Sequence, residues 1–407
     1  MSEREAPAMT TFRGWMGPST VLFASMFAGQ AGFLVLAPIL AEVSRELGVT
    51  MAAAGQLRLA SGFAGGATAL ALAPLATRLD LRGLLTVGLT MIAAGSLASA
   101  LAPTFALLVI AQLGIGSGLG TVLSAAIAAA AEWAPPGQRA RVLSWTLLGQ
   151  PAAWVVGMPL AGIAADVNWR LAWLTVPLVA SLVALAAVRG RRPSAPASAL
   201  KTNWRCLSRN REVAGWALGE LSAFAGWSGT LVYCGALLVE SYGVSAAGVG
   251  LVLAGSAVAY FPGNFLVRRV VDRAARPLLI GLGAALAVGV AIFGVVRPSL
   301  AFSAVLFAGL VFLAGGRTLA GSAVGLHSAP EDRLTVTRAR AAAAQFGYLL
   351  GAGAGGGALA VGGYSALGVV LAALFAGAVL PHIALALSAR LSSGDSTADA
   401  FGLARAR

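Results

Sequence analysis

The segment Arg189-Gly190-Arg191-Arg192-Pro193-Ser194-Ala195-Pro196-Ala197-Ser198-Ala199-Leu200-Lys201, continuing through Arg205 and Arg209 to Glu212, decides how this chain is read. It is basic, rich in Pro, Ser and Ala, and lies near the middle of 407 residues. On both sides of it the sequence is almost continuously apolar. A helix needs ~20 residues to cross ~30 Å of hydrocarbon. Six such runs precede the segment, at 18–41, 52–75, 83–103, 105–131, 141–165 and 170–188. Six follow it, at 213–236, 245–267, 277–296, 298–325, 339–362 and 364–388. The expected fold is an all-α polytopic membrane protein, with twelve transmembrane helices in two six-helix pseudo-repeats around a central cavity. The expected units are an N-terminal half over 1–188, a cytoplasmic linker over 189–212 that touches anionic lipid heads, a C-terminal half over 213–389 and a cytoplasmic tail over 390–407.

Composition agrees with this reading. Apolar residues make up 58% of the chain and charged ones only 11%, where a soluble domain carries about 25%. A soluble globular protein, a disordered chain and a secreted disulfide scaffold are excluded. The two cysteines, Cys206 and Cys234, lie in unlike settings, and the two histidines are His327 and His382. Neither a metal site nor a cofactor is expected from them. The net charge is +13, and its placement matters more than its size. Every Lys and Arg except Arg45, Arg170 and Arg297, and Arg58 and Arg317 within spans, falls in segments on one side of the bilayer. The positive-inside rule makes that side cytoplasmic. A multi-pass protein of the cell inner (plasma) membrane with both termini cytoplasmic is expected. Nucleic acid is not an expected partner, because the basic residues are spread over every inner loop with no aromatic interleaving. Glu3 and Glu5 beside Arg4, with no clean cleavage site after them, mark the first run as an uncleaved helix.

The halves echo each other. Arg139-Ala140-Arg141 opens the fifth span and Arg338-Ala339-Arg340 the eleventh, each ahead of a Gly-rich helix. Internal repeats of this kind are a hallmark of secondary transporters.

Twelve spans, a 6+6 split and a basic central loop resemble the major facilitator superfamily over nearly the whole chain. The finer motifs most resemble those of bacterial drug and metabolite exporters that exchange solute for protons. Ala73-Pro74-Leu75-Ala76-Thr77-Arg78-Leu79-Asp80-Leu81-Arg82 resembles the family's G-x-L-A-D-R-x-G-R-R at Leu75, Ala76, Arg78 and Arg82. Ala73, Thr77 and Asp80 stand for its Gly, Asp and second Gly. The resemblance implies a cytoplasmic latch in which Arg78 and Arg82 pair with Glu132, with Asp80 as a substitute for the lost Asp. Leu108 to Gly118 resembles the span-four motif, with Gln112 where proton-coupled members carry Arg. In span five, Gly149, Pro151, Gly157, Pro159 and Gly162 resemble the exporter motif in loosened form. There Pro bends a helix and Gly admits a neighbour, giving a hinge and seal. Asn168-Trp169-Arg170 opens span six much as the family's W-R does.

Charges inside hydrocarbon are costly and usually face a cavity or a partner. Glu220 is the only acidic residue well inside a span. It recurs with Trp216 and Trp227 at about helical spacing, with Phe224 between. That setting suits a proton carrier or a contact for a cationic solute, and a place near the inner headgroups is the alternative. Arg317 is its candidate partner. Arg58 is expected to pair with Glu42 or Glu46, or else to meet an anion in the cavity. In the superfamily, spans 1, 4, 7 and 10, with parts of 2, 5, 8 and 11, line the cavity. Gln30, Gln112, Gln150, Trp154, Tyr260, Asn264, Gln345 and Tyr348 would therefore form a mixed aromatic and amide pocket.

A secondary transporter that exports a small organic molecule against protons is the expected function, acting as a monomer in the lipid bilayer. Gln112 and Thr77 leave a facilitator-type importer or uniporter open. A receptor or scaffold without transport is the reading from another class. An enzyme is not expected: there is no Gly-x-Ser-x-Gly elbow, no paired intramembrane carboxylates and no His/Cys cluster.

Overall fold

The computed structural model describes residues 17–75, 80–135, 138–190 and 209–403, with the backbone alone at 73–75, 131, 139–140, 334 and 388–403. Helix is the sole regular structure among them. Ten stretches of these residues are long and apolar enough to cross a membrane: all the helices named next except Met51–Leu75, and the stretch Thr335–Leu387. In chain order the helices are α1 (Pro18–Glu46), α2 (Met51–Leu75), α3 (Leu81–Leu101), α4 (Phe105–Glu132), α5 (Arg141–Val167), α6 (Trp169–Arg189), α7 (Arg211–Tyr242), α8 (Ala246–Arg268), α9 (Val271–Val295) and α10 (Leu300–Ser328). The stretch Thr335–Leu387 holds 53 residues, about 80 Å of helix at 1.5 Å per residue. It breaks at Gly362 and Gly363, where φ reaches +62° at Gly363. The part before the break is α11 and the part after it α12.

The joints follow from short polar side chains. Asp80, Thr104, Asn168, Asn210, Ser245 and Ser299 each accept a hydrogen bond from a backbone N–H of the helix that follows. Such caps satisfy donors that a helix start leaves free. Gly243 ends α7 in the left-handed region, at φ +67°, where a side chain would be strained.

The surface is inside out relative to a soluble protein. Val167, Val305, Val361, Leu101 and many other large apolar side chains are exposed, while Glu220, Arg317, Arg58 and Gln112 are buried. A lipid solvent explains both facts.

Helices α1–α6 pack chiefly on one another, and so do α7–α12. The two sets meet chiefly along three pairs, α1 with α7, α2 with α11 and α5 with α8, with lesser contacts of α1 with α8 and α2 with α7. Glycine decides each of the three. A Cβ on Gly235 of α7 would strike the Ala37 carbonyl of α1. One on Gly62 of α2 would lie 2.9 Å from the Leu349 amide nitrogen of α11. On the α5/α8 seam, one on Gly162 would strike the Ala246 carbonyl, and one on Gly250 would lie 2.5 Å from the Met158 carbonyl. These approaches occupy one end of the bundle, the end that holds Asp166. Along α2 they run no further than Gly66, which meets Gln345 and Phe346.

The span-five motif separates into parts. Pro151 lies inside a helix that passes into a π-helical turn over Ala153–Gly157, and the α-helix resumes at Met158 with Pro159 in its first turn. A π-turn beside Pro is a recognised cause of helix bending. Gly149 meets the Phe23 carbonyl of α1 and Gly162 meets α8, so both must be glycine. Gly157 is different: a Cβ there would find nothing nearer than Val176 Cγ1 at 3.5 Å, an ordinary contact. Gly162→Val should therefore lower stability in detergent by about 1–3 kcal/mol through overpacking, and Gly157→Ala should leave it within about 0.5 kcal/mol. Thermal unfolding of the two variants side by side checks this; equal behaviour would refute the division of roles.

Candidate functional site

Two groups of charges lie inside the bundle. The first is built on α7. Glu220 is wholly buried, with one carboxylate oxygen 2.9 Å from Arg317 Nη2 and the other accepting a hydrogen bond from Arg340 Nε at 2.9 Å. Arg317 comes from α10 and Arg340 from α11. Their remaining N–H groups reach backbone: Arg317 donates to the Gly219 carbonyl at 3.4 Å and Arg340 to the Thr318 carbonyl at 3.2 Å. The Arg340 guanidinium also sits 5.2 Å from the Phe224 ring. Gly321 makes room for the carboxylate, since a Cβ there would overlap Glu220 Oε1. The expected partner Arg317 is confirmed. Arg340 is an addition: the sequence placed it at the mouth of a span, whereas its helix starts earlier, at Arg333.

The aromatic setting expected of Glu220 is only partly met. Trp216 is fully buried beside Gly321, and its indole N–H donates to the Gly321 carbonyl at 2.7 Å, a bond within the α7–α12 set. Trp227 turns to the core instead, stacked on Phe307 with centroids 6.3 Å apart. Phe224, through Arg340, is the ring that touches the charges.

The second group is Arg58 of α2, which is 3% exposed. Its guanidinium carbon stands 3.5 Å above the Phe33 ring, and that ring lies 4.6 Å from Tyr348 of α11. The expected pairing with Glu42 or Glu46 is corrected. Glu42 faces Arg45 at 4.0 Å, and Glu46 is held by Arg170 and by the Trp169 indole N–H at 2.5 Å. The carboxylates at that end were already taken by cations nearer the surface.

The other polar positions disperse. Gln112 is fully buried and donates to Ser99 Oγ of α3 at 3.1 Å, so it ties α4 to α3 and does not line the cavity. Gln150 reaches Gln30 at 3.5 Å, joining α5 to α1. Asn264 donates to the Gly315 carbonyl at 3.4 Å, and Gly315 in turn admits the Tyr260 backbone, so both residues of α8 fix it to α10. Trp154 packs half-buried against the core. Gln345 is buried against Gly65, where the two sets meet. Of the expected polar residues, only Tyr348 joins Arg58 in one cavity, while Gln345 meets α2 at Gly65 and Gly66. The latch expected at Arg78, Asp80, Arg82 and Glu132 turns on a residue outside the described ones. Arg78 lies outside the described residues, Arg82 donates to the Arg189 carbonyl at 2.6 Å, Asp80 caps α3 and Glu132 is exposed.

Asp166 escaped the sequence reading. Its carboxylate accepts from Ser245 Oγ and from the Ala247 N–H, each at 3.0 Å. It thus docks the end of α5 on the start of α8, where a helix favours negative charge. The signal available was its place one turn beyond Gly162.

A bundle of membrane-length helices, sealed at one end by glycine contacts and carrying buried charges at its centre, defines a polytopic helical membrane protein of the transporter class. The sequence matches the Major Facilitator Superfamily over residues 21–237, more than half of the chain, and the chain belongs to that family. Among relatives, it is 25% identical over 165 residues to the uncharacterized MFS-type transporter YbcL of Bacillus subtilis, covering 40% of this chain and 42% of YbcL. It is 28% identical over 204 residues to the uncharacterized MFS-type transporter YfhI of the same organism, covering 47% of this chain and 50% of YfhI. The chain thus spans half or less of those two relatives. It is 31% identical over 284 residues to the transcription regulatory protein OpdE of Pseudomonas aeruginosa, covering 66% of this chain and 69% of OpdE. Among solved structures, a bacterial homolog of the human lysosomal transporter Spinster, inward-facing and occupied, matches with a TM-score of 0.74 at 17% identity, covering 91% of this chain and 96% of that one. The nucleoside transporter NupG matches at 0.70 and 12%, covering 90% and 98%. These likenesses are of fold.

Removing one member of a buried ion pair leaves its partners uncompensated, at about 3–5 kcal/mol. Glu220→Gln should therefore destabilise the protein by that order, and Glu220→Gln with Arg317→Met should recover part of the loss. Unfolding in detergent reads both; strict additivity would show that the two groups are not coupled.

Proposed function

We propose that this chain is a secondary active transporter that exports a small organic molecule in exchange for protons, by alternating access between two six-helix halves. The observation that carries the reading is the one-ended seal. Among the described residues, glycine contacts join the halves from the Asp166 end as far as Gly66 and none is found beyond it, which supports a cavity closed at that end and open at the other. With the basic linker inside, the shut side is the outer one and the state is inward-facing.

Counting α2 as a crossing and dividing the long stretch at Gly362 and Gly363 yields twelve spans. The contact pattern supports a repeat of six. Exchanging α1 with α7, α2 with α8 and α5 with α11 turns the α2/α11 pair into the α8/α5 pair and leaves α1/α7 unchanged. Inverted or parallel repeats of this kind allow one half to rock against the other.

Coupling is assigned to Glu220. Protonation would remove the charge that holds Arg317 and Arg340, freeing α10 and α11 from α7. Two other readings have specific support. Gln112 ties α4 to α3 through Ser99, which suits a uniporter or importer lacking the span-four Arg. The likeness to OpdE, a transcription regulatory protein, favours a membrane sensor without transport.

Flux in proteoliposomes, measured with and without an imposed proton gradient for small organic cations and anions, separates the three. Gradient-driven accumulation by the wild type and none by Glu220→Gln is expected. Flux indifferent to the gradient would indicate uniport, and no flux would favour the sensor. For orientation, Cys206 should react with an impermeant thiol reagent only from the cytoplasmic side, while Cys234, buried in α7, should stay protected in this state. Labelling of Cys206 from outside would reverse the assigned direction.

A further inference from the structure

We infer that Arg58 anchors a binding site for a small organic monoanion with an apolar body, where α1, α2, α5, α7, α8 and α11 converge. The inference deepens the transport reading and rests on it for the route by which the ligand enters. It begins with a charge that lacks a counter-charge. Nε and Nη1 of Arg58 are buried without a hydrogen-bond partner. The Phe33 ring covers one face of the guanidinium, but a ring offers a planar fork of N–H donors no acceptor. Unpaired, such a group is expensive in hydrocarbon. Glu220, by contrast, holds two guanidinium groups, so this protein pairs its buried charges where pairing is structural.

The cavity at Arg58 says what would fit. It is lined by Phe33, Met158, Ser228, Leu231 and Tyr348, drawn from both halves. Arg58 is the one charged residue in that lining. A single guanidinium neutralises a single negative charge, and a dianion would leave one uncompensated. The planar fork matches a carboxylate or another planar anionic head. The walls are otherwise aliphatic or aromatic apart from the Ser228 and Tyr348 hydroxyls, which calls for an apolar body. The space is about 10 Å³ in this state, room for about one water, so the ligand enters when the halves part at the Asp166 end, the end that is closed here. A site built from both halves senses that parting directly, since the ligand gains contacts only when both are in place.

The probe is benzoate, with benzamide as its neutral isostere and benzylammonium as its cationic counterpart. Binding is measured by calorimetry on the full chain in detergent, which requires no transport. Benzoate should bind at least about tenfold more tightly than benzamide, and benzylammonium should not bind. Arg58→Met, which keeps the packing of the stem, should abolish the preference and leave thermal stability without ligand unchanged or raised, because it removes an unpaired buried charge. Should that variant not fold, Arg58→Lys keeps the charge, loses the fork, and should reduce the preference several-fold. Equal binding of benzoate and benzamide by the wild type, no benzoate binding, or preference retained in Arg58→Met would each overturn the assignment. Benzoate binding without any flux in proteoliposomes would keep the site and remove the transporter reading. Gradient-driven flux of ethidium without benzoate binding would do the reverse.

Discussion

At Gly235, Gly162 and Gly250 the backbones of the two helix sets touch with no side chain between them. The rest of the centre depends on that contact. It brings α1 to α7 and α5 to α8, and so places Phe33 of one set beside Tyr348 of the other. Lipid supplies no hydrophobic drive for helices to associate, so close van der Waals packing has to do it. The abundance of Gly and Ala in this chain is thus spent partly on the interface that must open and close.

The buried charges divide by location. Glu220, Arg317 and Arg340 all belong to α7, α10 and α11, within one set. A rigid rocking of the sets leaves that triad intact, and only a change in its protonation or wiring loosens it. Arg58 lies at the seam and has no ionic partner among the described residues. The contrast between a charge paired inside a half and a charge left open between halves is the physical basis for assigning them different tasks. The Gln30–Gln150 and Gln112–Ser99 bonds, both inside the α1–α6 set, belong with the first kind.

Most of the helices were legible as apolar runs, because in hydrocarbon length and polarity alone define a span. The pairing of Glu220 with Arg317 was legible for a related reason: a charge that deep needs a counterpart, and few were available. Arg340 was not legible, since its helix begins in a polar, Arg-rich stretch that hydropathy assigns to the loop. Direction around the helix was the other loss. α4 is lined with Ala and Gly on every side, so no contrast in polarity tells that Gln112 faces α3. The same holds for Trp227, whose ring packs on Phe307. Phe33 carried no sequence signal at all, because a phenyl ring among apolar neighbours looks like core until a cation is seen above it. Asp166 was hidden by its exposed position at a helix end, where carboxylates are commonplace.

Reversible opening requires that parting surfaces leave nothing unsatisfied. Across the halves, among the described residues, hydrogen bonds run from Ser245 and Ala247 to Asp166 and from Gln56 to the Ala352 carbonyl at 3.4 Å. No ion pair crosses among those residues. The carbonyls of Ala37, Ala246 and Met158, which the glycines approach so closely, lie in or at the start of helices, where the helix itself or its first turn can satisfy them. Separating them forfeits dispersion contacts and little else. Asp166 lies at the water-facing end, so its two bonds can be exchanged for water. A seam of self-satisfied backbone with its polar latch at the rim can therefore open without a buried group going unpaired. The exception is Arg58, which gains rather than loses a partner when the seam admits an anion.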